Sequence, residues 1–115
     1  MANYGELSNF VISRATILSG ATVSDAIDLI GRGCLVIYLP ATFTGATITF
    51  QGSYDNVTFL ALYNTSNTQM SMTVTQNRAY VLSPEDLVGI RYLKLVSGSA
   101  EGADRTITLV TRQLS

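Results

Sequence analysis

Hydrophobic positions along the chain recur with the period of a β-strand, in short runs separated by turn-forming residues. The clearest example is "ITFQGSYDNVTFLALY", from Ile48 to Tyr63, where two alternating runs flank a polar turn at Asp55 and Asn56. Both residues suit a turn because their side chains bond to nearby backbone groups. The pattern predicts a β-hairpin, whose aromatic side chains either hold a ligand or contact another protein.

Similar runs predict strands along most of the chain. They cover residues 10–18, 23–30, 34–39, 47–52, 57–63, 70–75, 79–82, 90–96 and 103–112. The run from Val23 to Ile30 also has apolar residues at helical spacing, but strand-like neighbours and the bounding glycines favour a strand. The almost continuous apolar run from Cys34 to Leu39 is typical of a central strand covered on both faces, and Pro40 ends it.

One segment, "SPEDLVG", interrupts the strand pattern. Ser83 suits the cap of a helix and Pro84 its first position, while Glu85 and Asp86 favour the positive end of the helix dipole. Gly89 ends the segment. It therefore predicts a single helical turn between two strands.

About nine strands and one short helical turn in 115 residues predict an all-β domain, a single antiparallel β-sandwich of jelly-roll type. Residues 10–115 form this domain, and residues 1–9 precede it as a flexible N-terminal arm. The predicted core consists of Ile37, Leu39, Ile48, Phe50, Phe59, Leu93, Leu95, Ile107 and Leu109.

The composition combines 47% hydrophobic with only 13% charged residues, where about 25% charged is usual. Either partners cover part of the surface, or Ser, Thr, Asn and Gln replace charge on exposed strand faces. The net charge is −1 and basic residues are scattered, so we expect no nucleic-acid partner. No apolar run approaches the roughly 20 residues of a membrane helix and the start lacks signal-peptide features, so we expect no membrane.

Catalytic chemistry has few candidate residues. The absence of histidine removes the commonest general base, the Ser-His-Asp and Cys-His constellations and most zinc sites. Cys34 lies in an apolar run and is expected to be buried and inert. Lys94, the one lysine, fits a solvated strand face. We therefore expect the protein to have no enzymatic activity, no catalytic residue and no cofactor.

Carboxylate pairs are the remaining route to hydrolysis or metal binding. Asp25 and Asp28 lie three residues apart, which places them on opposite faces of a strand. Glu101 and Asp104 lie in a Gly-rich loop, where they could hold a cation or serve a small hydrolase. We interpret these acids as solubilising and predict no metal site.

The aromatic residues of the hairpin allow two interpretations of its function. Phe50 and Phe59 are assigned to the core, which leaves Tyr54 and Tyr63 near the rim. The two tyrosines could stack against a sugar, with Gln51, Asp55 and Asn56 as hydrogen-bond partners. The chain has no tryptophan, the favoured sugar platform, and contact with protein is the other reading.

Three pieces of sequence together resemble a known group: "SGATVSDAIDL", "IYLPATFTGATITFQGSYDNVTFLALYN" and "IRYLKLVSGSAEGADRTITLV". They are similar to small β-sandwich proteins encoded among the virion structural genes of tailed bacteriophages, of the capsid cement or decoration type. The resemblance covers roughly residues 19–111. Asn56 stands where the group usually has glycine after the turn aspartate.

The resemblance implies a virion structural protein, most directly a capsid cement or decoration protein that binds and stabilises the outer surface of the head. Its partner would be the major capsid protein, its location the capsid surface after assembly in the host cytoplasm, and its state a homo-oligomer, with a trimer favoured. Related domains in tail and fibre proteins imply the alternative of a carbohydrate- or receptor-binding module. Because this chain has its own start methionine, we do not expect it to be a domain at the tip of a long fibre. The expected protein interface comprises Asn3, Tyr4, Glu6, Leu7, Tyr54 and Tyr63.

Overall fold

A computed structural model describes residues 10–30, 32–83, 87 and 89–113. Within these residues the protein has nine β-strands and no helix, which confirms the all-β prediction. The strands are β1 (Phe10–Ile17), β2 (Ile27–Asp28), β3 (Arg32–Tyr38), β4 (Thr47–Ser53), β5 (Leu60–Ala61), β6 (Ser71–Thr73), β7 (Ala79–Val81), β8 (Tyr92–Ser97) and β9 (Arg105–Gln113).

The strands form two antiparallel sheets. The four-stranded sheet has the order β1-β9-β3-β7, and the five-stranded sheet has the order β2-β8-β4-β5, with β6 also paired to β4. The chain changes sheet at each connection except those joining β4, β5 and β6. This alternation is compatible with the jelly-roll type, which stays a prediction, while the two-sheet sandwich is confirmed.

The core lies between the inner faces of the sheets, because side chains alternate between the two faces of each strand. Ile107 and Leu109 of β9 are fully buried, as are Ile48 of β4 and Leu93 and Leu95 of β8. Eight of the nine predicted core residues are buried.

Phe59 is the exception, and its core assignment is wrong. It lies two residues before Ala61, which pairs with Gln51 on the outer face of the five-stranded sheet. The Phe59 ring is half-buried there, with the Lys94 ammonium 4.2 Å from its centre. Phe59 therefore lies on the face opposite to the predicted one, because side chains two residues apart in an extended run share a face.

Two predicted strands are shorter than expected. The run from residue 57 to 63 forms β5 and an isolated bridge from Tyr63 to Gln69. The run from 23 to 30 forms β2 and isolated bridges from Val23 to Val96 and from Ser24 to Ile17. The predicted helical turn includes Pro84, Glu85, Asp86 and Val88, which lie outside the described residues, as does the predicted arm. No helix in the described ranges is long and apolar enough to cross a bilayer.

Candidate functional site

The connection between β4 and β5 is held by side chains bonded to backbone. The Asp55 Oδ1 atom accepts hydrogen bonds from the backbone N–H groups of Val57 at 2.9 Å and Thr58 at 3.0 Å, and lies 2.9 Å from the Ser53 hydroxyl. The Ser53 hydroxyl oxygen accepts from the N–H of Asn56 at 2.9 Å. The connection is thus a loop of defined shape rather than a tight hairpin turn.

The electrostatics and backbone of this loop agree with that geometry. The backbone N–H groups of Thr58 and Val57, and then the Ser53 hydroxyl, hold the pKa of Asp55 below its ordinary value. Asn56 has φ of 61°, in the left-handed region that asparagine adopts more easily than most residues. The replacement of glycine by asparagine in the resembling pattern therefore preserves the turn.

The loop and β5 expose large apolar side chains. Tyr54, Val57, Leu60 and Tyr63 are 86%, 81%, 68% and 54% exposed, and we call these four residues the hairpin patch. Several large apolar side chains exposed within one short segment often mark a site of interaction with proteins, membranes or ligands. Val57 and Leu60 are absent from the sequence-based site, because only aromatic and polar side chains of the hairpin were considered as contacts.

Tyr54, Leu60 and Tyr63 line one shallow groove of about 370 Å³, together with residues that include Gly52 and Ile90. A Cβ added at Gly52 would lie 2.9 Å from a Leu62 methyl group. A side chain at this position would therefore displace Leu62, which also lines the groove.

Tyr63 also borders a second hollow of about 540 Å³ beside Phe50, Met70 and Met72. The structure therefore brings Tyr54 and Tyr63 to the same groove. Asn3, Tyr4, Glu6 and Leu7, the other four predicted interface residues, lie outside the described residues.

The two loop acids Glu101 and Asp104 do not converge on a shared site. Glu101 is buried; its carboxylate accepts hydrogen bonds at 3.0 Å from the N–H groups of Thr44 and Gly45 and pairs with Arg105 at 2.9 Å. Asp104 instead accepts from the N–H of Ser19 at 2.8 Å. Each acid holds a different loop, and in the described part of the chain no three His, Cys, Asp or Glu side chains cluster closely enough to hold a metal ion.

Burial and hydrogen bonding act in opposite directions on Glu101. Burial alone would raise the pKa of its carboxyl group. The backbone of Thr44, the Arg105 guanidinium and the hydroxyls of Thr44 and Ser97 outweigh burial and leave the pKa below its ordinary value. Glu101 is therefore ionised at neutral pH and acts as a structural anchor.

Cys34 is 1% exposed, which confirms the predicted burial. Burial raises the pKa of its thiol to about 12. The reactive thiolate is therefore scarce at neutral pH.

No protein-family model and no curated protein matches the sequence. Among solved structures, the SPBc2 prophage-derived protein YomS is similar at a TM-score of 0.54 and 16% identity, over 89% of this chain and 94% of YomS. Peruvianin-I, a cysteine peptidase from Thevetia peruviana latex, is similar at a TM-score of 0.50 and 11% identity, over 92% of this chain. This chain spans about half of Peruvianin-I, since the match covers 52% of that protein.

A disulfide-linked pilus protein of Bacillus endospore appendages gives a TM-score of 0.39 at 16% identity, over 93% of this chain and 90% of that one. At these identities the first two likenesses show a shared fold. A prophage-derived protein is thus among the proteins with this fold.

Proposed function

We propose that this chain is a virion structural protein of a tailed bacteriophage, a capsid cement or decoration protein that binds the major capsid protein on the outer surface of the head. The observation that carries the proposal is the hairpin patch, four large apolar side chains exposed between residues 54 and 63. Such a surface is suited to permanent contact with protein. The proposed state on the head is a homo-oligomer, with a trimer favoured.

The shape of the loop supports binding by the patch. Its turn is fixed by the bonds from Asp55 and Ser53, so ordering the loop on contact costs little conformational entropy. Two of the four patch residues are tyrosines, which often provide most of the binding energy in protein interfaces.

The resemblance of the sequence to phage decoration proteins supports the same proposal. Its "LPATFTGATITFQ" element leads into and forms most of β4, which directly precedes the patch. The shared fold with prophage-derived YomS extends over nearly the whole of both chains. A non-enzymatic role is part of the proposal, because Glu101 and Asp104 each hold a separate loop and Cys34 is buried.

The test is co-sedimentation of the purified chain with phage heads that lack it. We expect Tyr54→Ala combined with Leu60→Asp to weaken binding by about tenfold or more, since anchor residues contribute over ~1 kcal/mol each. Leu18→Asp is the matched control, because Leu18 is 60% exposed in the β1–β2 connection, away from the patch. If the patch variant binds heads as well as the control does, attachment through the hairpin is wrong.

One observation favours a second candidate, a carbohydrate- or receptor-binding module of the tail or fibre. Tyr54 and Tyr63 line the same groove, which would allow a sugar ring to contact both. Binding of host polysaccharide that Tyr63→Ala abolishes, together with no binding to heads, would favour this candidate.

A further inference from the structure

A second apolar surface lies on the outer face of the four-stranded sheet, opposite the core. Ile12 of β1 pairs with Val110 of β9, Val110 with Val36 of β3, and Val36 with Val81 of β7. These four side chains form one line across all four strands, which we call the cross-sheet row. Antiparallel sheets with one face in solvent usually carry polar residues there.

The row is most exposed at its two ends. Ile12 is 59% exposed and Val81 is 81% exposed, while Val110 and Val36 between them are half-buried. Phe10 and Tyr38 extend the apolar surface along neighbouring rows, at 43% and 48% exposure.

The charges on this face have one sign. The strands β1, β3, β7 and β9 contain no acidic residue. Arg14 and Arg112 flank the cross-sheet row, two residues from Ile12 and Val110 respectively, and neither forms an ion pair with another described residue.

Arg112 has a partly satisfied guanidinium. It lies over the Phe10 ring at 5.4 Å, and its Nε atom is buried without a hydrogen-bond partner among the described residues. Buried polar atoms without partners are uncommon in folded proteins. The exposed Arg14, which has no ion-pair partner among the described residues, is the arginine that a docking segment can reach, so the face suits an apolar segment that carries a carboxylate.

The first nine residues of the chain, "MANYGELSN", have this chemistry. Glu6 is their only charged side chain, and Tyr4 and Leu7 supply apolar groups on either side of it. In extended form nine residues span about 30 Å. The outer strands of a four-stranded sheet lie roughly 14 Å apart, so the segment is long enough to cross the row.

We propose that the cross-sheet row of one copy binds residues 1–9 of a neighbouring copy, with Glu6 beside Arg14. The segment joins the sandwich at Phe10, the first residue of an edge strand, whose partner Arg112 lies near the end of β9. A segment that continues β1 in a straight line beyond Phe10 would extend past the edge of its own sheet, away from the cross-sheet row. A return to the row of the same copy would require a chain reversal directly before Phe10, whereas another copy is reached without one.

The test is sedimentation velocity of the full chain over a range of concentrations. Wild type is expected to self-associate, and Val81→Asp to weaken association by about tenfold or more, because it places a charge in the row. Leu18→Asp is the matched control, since Leu18 is 60% exposed and belongs to neither the cross-sheet row nor the hairpin patch.

A charge exchange identifies the segment. Glu6→Arg and Arg14→Glu should each weaken association by roughly fivefold, as expected of an exposed ion pair. The double variant should recover most of the loss. A fluorescent peptide of residues 1–9 should also bind the Tyr4→Ala, Leu7→Ala full chain and lose binding when Val81→Asp is added.

Three outcomes would overturn the proposal: a wild type that is monomeric at all concentrations, association unaffected by Val81→Asp, or a double variant no better than the single ones. Equal thermal midpoints of the variants exclude misfolding as the cause. None of these measurements uses phage heads, so their failure is distinct from failure of the cement function.

Discussion

Glu101 connects distant parts of the chain through its two carboxylate oxygens. It binds the backbone of Thr44 and Gly45, more than fifty residues away, and the side chain of Arg105, the first residue of β9. Its side chain is fully buried, and that of Arg105 is 13% exposed. The loop before β4 and the loop before β9 are thus joined at one carboxylate.

Glu101→Ala is expected to destabilise the fold by roughly 3–5 kcal/mol at neutral pH, because it leaves the mostly buried Arg105 charge and the buried Gly45 N–H group without their acceptor. Urea unfolding measures the loss. Because the folded-state pKa of Glu101 is below its ordinary value of 4.5, the stabilisation is complete above pH 4.5 and decreases as pH falls through the folded pKa. The difference between wild type and variant should therefore narrow in acid.

Asp28→Ala is the matched control for this prediction. Asp28 also pairs with an arginine, Arg91, at 2.6 Å and 3.0 Å, but the two side chains are 35% and 49% exposed. Solvent screens such a pair, so the loss should be much smaller. Equal losses in the two variants would contradict the role of Glu101 as a buried anchor.

At the scale of single elements, the phenylalanine of β4 and the phenylalanine of the run that follows it differ in burial. Phe50 is 2% exposed in the core, whereas Phe59 lies on the outer face beneath Lys94. Phe50→Ala should cost about 3–5 kcal/mol of unfolding free energy through the cavity that it leaves. Phe59→Ala should cost only about 1 kcal/mol, the size of an exposed cation–π contact.

Thermal or urea unfolding of the two variants side by side makes the comparison. A loss for Phe59→Ala as large as that for Phe50→Ala would return Phe59 to the core and contradict its position on the outer face. Gln51→Ala is a suitable reference, because Gln51 lies on the same outer face and pairs with Ala61.

The strands that pair over many residues were predictable from the sequence, and the short ones were not. β3, β4, β8 and β9 each keep a period of two or a continuous apolar run that burial between sheets imposes. The run after Asp55 keeps the same period, but the bonds from Asp55 to Val57 and Thr58 displace its start from the sheet. Such bonds depend on loop geometry that periodicity does not encode.

The candidate site was predictable only in its aromatic residues. Tyr54 and Tyr63 stood out as aromatic side chains not needed in the core, and they line one groove. Leu60 and Val57 were not predicted, because an exposed aliphatic side chain in a strand-like run has no feature in the sequence that separates it from a core residue. The cross-sheet row could not be predicted from the sequence, because its residues come from four separate strands and are aligned only by the register of those strands.

At the scale of the whole molecule, apolar side chains are exposed on both sides of the sandwich. The hairpin patch belongs to the five-stranded sheet and its loop, and the cross-sheet row belongs to the outer face of the four-stranded sheet. With only 13% charged residues, this arrangement agrees with a surface partly covered by partners. We propose that the patch binds the phage head and that the row binds a neighbouring copy.

The most direct test of this account is a cryo-electron-microscopy reconstruction of heads incubated with the purified chain. We expect sandwich-sized density on the outer surface of the head, at repeated positions, with the β4–β5 loop against the major capsid protein. The Tyr54→Ala, Leu60→Asp variant should leave those positions empty. Bare heads with the wild-type chain, or density located only on tails, would contradict the account.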